Sequence, residues 1–237
     1  MTHELTPFDG ILLVDKPSKV TSHDVVDAVR RHFHFKKVGH CGTLDPLATG
    51  LLILLLEKAT KLSEKLISDN KDYQGTLRLG IRTDSQDADG KILTTSEVPA
   101  FTSGQIEEAF AKFRGDIYQI PPMVSAMKHK GKPLYKLARQ GIEIERKPRL
   151  IHIFDLRVLE VQLPDVRFRL RCTKGTYVRT LCADIGDALG CGGHLAELRR
   201  TRSGNFSIEG AHTLPQILAT SRDDLVKWIT PLWEVKT

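Results

Sequence analysis

The chain has 237 residues, 41% of them hydrophobic and 27% charged, which suits a globular body and excludes a disordered or fibrous one. Its longest uninterrupted apolar run, Leu51 to Leu56, falls far short of the roughly 20 residues a membrane-spanning helix needs. Four cysteines without a close pair point away from a disulfide framework and toward a reducing compartment, the cytoplasm, and the net charge is +6. The N-terminus carries no secretory pattern, so export is not expected.

In chain order, Gly10–Asp15 reads as a first strand ended by Lys16-Pro17. Thr21 and Asp24 form a capping-box pattern ahead of Val25, Val26, Val29 and Phe33 at helical spacing. Leu51–Leu56 is nearly all apolar and reads as a central strand covered on both faces, with a helical period following over 57–67. Tyr73–Ile81 is a strand, and 83–90 is a polar connection closed by Asp89-Gly90. Its ligand positions and glycine are out of step with a calcium loop, so no metal is expected there. Cys191 and His194 have ligand-like spacing, but no second pair completes a zinc set.

Thr102 and Gln105 cap a helix that buries Ile106, Ala109, Phe110 and Phe113. Pro121-Pro122 opens a basic stretch in which Leu134–Gln140 is helical and Gly141 supplies the stop. Ile151–Val161 and Val166–Cys172 are strands, the second alternating apolar residues with Arg167, Arg169 and Arg171. A helix follows from about Tyr177 to Leu189. Beyond Gly192-Gly193 a short helix is expected to end in Leu198-Arg199-Arg200, and the tail shows a modest helical segment near Leu225–Ile229. Strands mixed with helices, without a βαβ rhythm, give an α+β class built on one extended mixed sheet.

Charge is concentrated. Residues 128–149 hold eight Lys/Arg against Glu143 and Glu145, and 167–179 hold five basic residues and no acidic one. Such clustering fits a polyanion surface, with nucleic acid the leading partner. Three segments offer the chemistry to go with it. Asp45 lies in the Gly- and Pro-bounded loop Gly39–Gly50, either as a turn former or as a nucleophile or base. Tyr73 opens a strand, as a base-stacking platform or as sheet packing. Arg179 follows Lys174-Gly175-Thr176-Tyr177-Val178, as a bidentate carboxylate partner or as a phosphate contact. No dinucleotide fingerprint or P-loop is present, which fits a cofactor-free reaction.

The run Gly39-His40-Cys41-Gly42-Thr43-Leu44-Asp45-Pro46-Leu47-Ala48-Thr49-Gly50 resembles the catalytic motif of the TruB-type tRNA pseudouridine synthases. The resemblance continues in family order through Gly10–Pro17, Asp72-Tyr73 with Leu79–Asp84, Pro121–Gly141, Lys174–Thr180 and Leu198-Arg199-Arg200, over roughly 8–215. It implies the pseudouridine synthase fold, a mixed and mainly antiparallel sheet flanked by helices with an inserted thumb-like element. It implies isomerisation of the T-loop uridine at tRNA position 55, on a flipped-out base and without a cofactor. By the same resemblance, Asp45 is the nucleophile, Tyr73 stacks on the target base, and Arg179 is the arginine paired with the catalytic aspartate. His40 helps hold the opened RNA loop, and Lys174, Tyr177 and Leu198 line or support the pocket. The thumb-like element would touch RNA through Met123, Lys128, Lys130, Lys132, Tyr135 and Arg139.

Two departures stand out. Cys41 occupies a position where threonine is usual in the family; a Cys-His catalytic pair is not expected, because neighbours in a turn rarely orient toward each other and no third group orients them. The second is length. Many bacterial relatives continue into a small RNA-binding domain of the PUA type, and this chain is expected to be a short form without it. The expected organisation is therefore one catalytic domain over 1–237, with a core at 8–215, an RNA-gripping insertion at about 120–150 and a short extension at 216–237. The partner is the T arm and elbow of tRNA; nothing in the chain requires a membrane, an obligate protein partner or more than a monomer. The alternatives are a non-catalytic tRNA-elbow binder or RNA chaperone, and a pseudouridine synthase for a different RNA.

Overall fold

The structure, a computed structural model, describes residues 5–63, 70–125, 127–129, 131–138 and 140–235. It divides into two compact units, Met1–Tyr73 with Arg199–Thr237, and Gln74–Leu198.

The first unit opens with strand β1 (Gly10–Lys16) and helix α1 (Ser22–His32). The expected capping box is present: Thr21 Oγ1 accepts from the Asp24 amide at 3.0 Å, and the Asp24 carboxylate accepts from the Thr21 amide at 2.8 Å. Strands β2 (Val38–Cys41) and β3 (Thr49–Leu56) follow. β3 pairs antiparallel with β1, from Gly10↔Leu56 to Lys16↔Gly50, and with β2, from Val38↔Leu56 to Cys41↔Ile53. Partners on both edges and cover on both faces explain why an uninterrupted leucine-rich run is stable there. Cys41 packs into the same core as Ile11, Leu51, Ile53, Leu55 and Ala59, the packing role its smallness allows. A 3₁₀ turn spans Glu57–Leu62, and the rest of the helix expected to 67 falls at residues 64–69, outside the described residues.

Strand β4 (Lys71–Leu79) leads into the second unit, where β5 (Ile81–Thr83) and β6 (Ile92–Thr95) pair, and α2 (Ser103–Ala111) starts at the Thr102/Gln105 box. The basic insertion rises from β7 (Gly115–Gln119) through β8 (Lys128–His129), β9 (Lys132–Pro133) and α3 (Leu134–Ala138). It returns in β10 (Arg149–Gln162), which pairs antiparallel with β7 and with β11 (Asp165–Cys172). β11 has the expected two faces, with Val166, Phe168, Leu170 and Cys172 buried and Arg167, Arg169 and Arg171 exposed. Helix α4 (Val178–Ala188) then precedes β12 (Gly193–Ser203), which enters the first unit at Arg199.

β12 corrects the expectation of a helix ending at Leu198-Arg199-Arg200: these residues are in a strand, parallel to β3 with Arg199↔Thr49 and Arg200↔Gly50. Gly192-Gly193 marks close packing, not a gap between helices; a Cβ on Gly186 of α4 would stand 2.4 Å from the Gly192 carbonyl carbon. The tail adds β13 (Phe206–Ser207), β14 (His212–Thr213), α5 (Leu214–Ala219), α6 (Arg222–Leu225) and β15 (Ile229–Pro231). β14 and β15 both pair with β1, and Ile217, Leu225 and Ile229 are buried. The tail is thus more ordered than its composition advertised.

Candidate active site

Asp45 lies on the connection from β2 to β3, half-buried, with its carbonyl accepting the Ala48 amide at 3.1 Å. The connection begins and ends at glycines with positive φ, Gly42 at 80° and Gly50 at 97°. At Gly50 the requirement is twofold, since a Cβ there would stand 2.3 Å from the Arg200 carbonyl oxygen. Side chains from three other segments fasten the loop by its backbone. Buried Ser22 donates to the Leu44 carbonyl at 3.1 Å and accepts from the Leu44 amide at 2.9 Å. The ammonium of fully buried Lys16 donates to the carbonyls of Pro17 (2.8 Å), Val20 (2.7 Å) and Pro46 (3.4 Å). Arg200 donates Nε to the Leu51 carbonyl at 2.7 Å and Nη2 to the Gly42 carbonyl at 2.9 Å.

The electrostatics follow from this burial. Loss of solvent pulls the Lys16 ammonium down to about 8, the Asp45 charge opposes that fall, and the Arg200 guanidinium adds to it. His40, on β2, is held below the usual imidazole range by burial first and by Arg200 and His23 second, which favours the neutral ring. Its Nδ1 is buried and has no hydrogen-bond partner among the described residues. Tyr73 and Lys71 share the buried face of β4 with Gly75, Leu77 and Leu79. Lys71 also approaches the loop: its Cε lies 3.8 Å from where a Gly42 Cβ would be. A half-buried carboxylate in a loop fixed on both sides, among buried cations, is suited to act as a nucleophile or a base.

The second unit carries the other set. Tyr177 caps α4 without a side-chain hydrogen bond of its own. Buried Gln119 substitutes, its amide donating to the Tyr177 carbonyl at 3.0 Å and accepting from the Tyr177 amide at 2.7 Å. Two residues on, Arg179 is 3% exposed, with Nε 3.6 Å from the Asp87 carboxylate. It donates Nη1 to the Ser85 carbonyl at 2.9 Å and Nη2 to the Val124 carbonyl at 2.8 Å. Asp87 in turn accepts from Ser85 Oγ at 2.5 Å and the Asp89 amide at 3.2 Å. The acidic connection 83–90 therefore docks a guanidinium. Arg179 joins it to α4 and to the root of the basic insertion.

Lys174 is exposed on the turn before α4, Leu198 is buried on β12, and Met123 is half-buried at the root of the insertion. Lys128 falls in β8, Lys132 in β9 and Tyr135 in α3. Lys130 and Arg139 lie outside the described residues. The structure thus places Asp45, His40 and Tyr73 in the first unit, and Arg179, Lys174, Tyr177, Leu198 and the insertion in the second. Sequence reading missed Lys16, Lys71, Arg200 and Asp87.

Comparison with known proteins places the whole chain in a family. A family model described as TruB family pseudouridylate synthase, N-terminal domain, matches residues 30–178, and one described as tRNA pseudouridylate synthase B C-terminal domain matches 179–233. A tRNA pseudouridine synthase B of Opitutus terrae is 54% identical over 226 residues, covering 95% of this chain and 94% of that protein. A tRNA pseudouridine synthase B of Syntrophotalea carbinolica is 50% identical, covering 91% of this chain and 71% of its own length. Among solved structures, a chain of a Cbf5-Nop10-Gar1 complex superposes with a TM-score of 0.76 at 32% identity, over 96% of this chain and 61% of that one. A chain of an H/ACA RNP bound to a substrate RNA containing 2'-deoxyuridine gives 0.72 at 30% identity, and this chain spans 60% of it. With the motif loop, the α+β architecture and the matched length all in accord, the chain belongs to the TruB family of pseudouridylate synthases.

Proposed function

We propose that this protein isomerises uridine to pseudouridine in tRNA, at position 55 of the T loop, with Asp45 as the nucleophile. The glycosidic bond at N1 of uracil breaks, a bond from the sugar to C5 forms, the C5 proton is lost and N1 gains one, so atoms and electrons are conserved and no cofactor is consumed. The target cannot react inside a stacked loop, and the reading therefore includes a flipped base. Losing its stacking costs a few kcal/mol, offset by phosphate contacts and by an aromatic platform, the role given to Tyr73. Arg179 belongs to the catalytic set, His40 and Lys174 to the RNA-holding and pocket set, and the insertion with Met123, Lys128 and Lys132 to the grip. The working form in this reading is a monomer.

The observation that carries the reading is the way the Asp45 loop is built: one carboxylate on a backbone held by Ser22, Lys16 and Arg200 through the carbonyls of Gly42, Leu44, Pro46 and Leu51 and the Leu44 amide. A passive RNA binder has no need of such fixation at a single acid. The test is to incubate the purified protein with unmodified tRNA and map pseudouridine at single-nucleotide resolution. Product at position 55 alone is expected. Product elsewhere would reassign the substrate, and tight binding without product would favour the elbow-binding alternative.

A further inference from the structure

The Asp45 loop has a lock that lies outside the motif, more than 140 residues downstream. Arg200 is 1% exposed on β12, at the register position opposite Gly50. Its Nε bonds the Leu51 carbonyl at 2.7 Å, just after the loop, and its Nη2 bonds the Gly42 carbonyl at 2.9 Å, just before it. One planar fork therefore closes both ends of the segment that carries the acid.

The surrounding residues make room for that fork. A Cβ on Gly42 would stand 3.2 Å from Arg200 Nη1, and one on Gly50 would meet the Arg200 backbone. Among the described residues Arg200 forms no ion pair with a carboxylate. A buried guanidinium is costly to desolvate, and an apolar side chain of similar volume commonly serves stability as well or better. What an apolar residue cannot supply is two fixed donors at a set spacing. Lysine cannot either, since its ammonium is one point of charge on a flexible stem.

We propose that Arg200 is a positioning residue for the reaction: its guanidinium bridges the Gly42 and Leu51 carbonyls and so holds Asp45 in reacting geometry. The proposal rests on the reading of Asp45 as nucleophile. Arg200 touches neither base nor sugar and acts only through the loop.

The test compares Arg200→Ala, Arg200→Lys and the core control Ile53→Val with the intact protein. Single-turnover rate, tRNA dissociation constant, thermal midpoint and amide exchange across 43–50 are measured for each. Both Arg200 variants should lose about 100-fold in rate, the scale expected of an ångström-sized misplacement, while the dissociation constant stays within about threefold. Amide exchange should quicken in 43–50 and not in the centre of β3. Millimolar guanidinium should restore part of the Arg200→Ala rate by refilling the hole. A merely structural loss would not respond to millimolar guanidinium, would track the thermal midpoint, and would be shared by Ile53→Val. Those outcomes, or full activity in Arg200→Lys, would overturn the proposal. Where Arg200→Ala does not fold, Arg200→Lys with its exchange data decides the matter. Asp45→Asn in the same assay keeps the two ideas apart: turnover there would remove the nucleophile reading, whereas a dead Asp45→Asn beside a fully active Arg200→Lys would sink the lock alone.

Discussion

The Asp45 loop and the basic insertion at 121–149 are both irregular segments rooted on strands, yet they are held by opposite means. The loop is fastened by buried side chains, Ser22, Lys16 and Arg200, each reaching its backbone from another segment. The insertion keeps its shape largely through its own backbone, with the Leu134 amide on the Met127 carbonyl at 2.7 Å and the Ile142 amide on the Leu137 carbonyl at 3.0 Å. Among the described residues its root is tied from outside the insertion, where Val124 meets Arg179 and Arg149 pairs with Gln119; Lys132, Lys136 and Ile142 stay exposed. Chemistry at one atom needs a fixed group, and buried polar staples supply it at a desolvation cost. Gripping a large anion needs reach and charge, which exposed side chains on a lightly tied arm provide.

The contrast can be broken most forcefully at Arg179. Arg179→Met should destabilise the protein by about 3–5 kcal/mol, because it strands the buried Asp87 carboxylate and frees the root of the insertion; urea unfolding measures it. Turnover should fall more than tRNA affinity. Gly50→Ala comes next, at a cost of at least about 2 kcal/mol, since its φ and the Arg200 backbone both refuse a Cβ. A Tm unchanged by that substitution would contradict the tight packing of the loop.

A pH effect sharpens the same side of the comparison. Lys16 titrates near 8 in the fold against 10.5 when unfolded. Between those values the unfolded chain binds more protons, so this group makes stability rise with pH, by on the order of 1 kcal/mol per pH unit at most. Urea melts at several pH values should show the gain, and Lys16→Met should lack it. On the gripping side the changes are smaller. Lys132→Ala and Lys136→Ala should each weaken tRNA binding about threefold and reduce the salt slope by about 0.7–0.9, with kcat at saturating tRNA unaltered.

The two regions also differ in how far the sequence revealed them. The capping boxes at Thr21 and Thr102, the buried run Leu51–Leu56 and the alternation in 166–172 state their roles in local spacing, and the structure follows them. The motif pointed to Asp45 but not to its supports. Lys16, Lys71 and Arg200 are charged, and charge in a sequence reads as surface. For Lys71 a signal was available, because two-residue alternation puts it on the face of Tyr73, Gly75 and Leu77. For Arg200 that signal was hidden by taking Leu198-Arg199-Arg200 as the end of a short helix. Once the segment is a strand, Arg200 shares the buried side of Leu198. Asp87 was discounted with the calcium pattern, since nothing local says that a guanidinium from residue 179 fills the same loop.

The central claim is that one fixed carboxylate carries the reaction, and single-turnover kinetics on unmodified tRNA with Asp45→Asn test it most directly. The loss of rate should be at least about 1,000-fold with a dissociation constant within about threefold of the unaltered protein, the pattern of a group used in the transition state and not in binding. Substantial pseudouridine formed by Asp45→Asn, or a rate lost only in step with affinity, would contradict it.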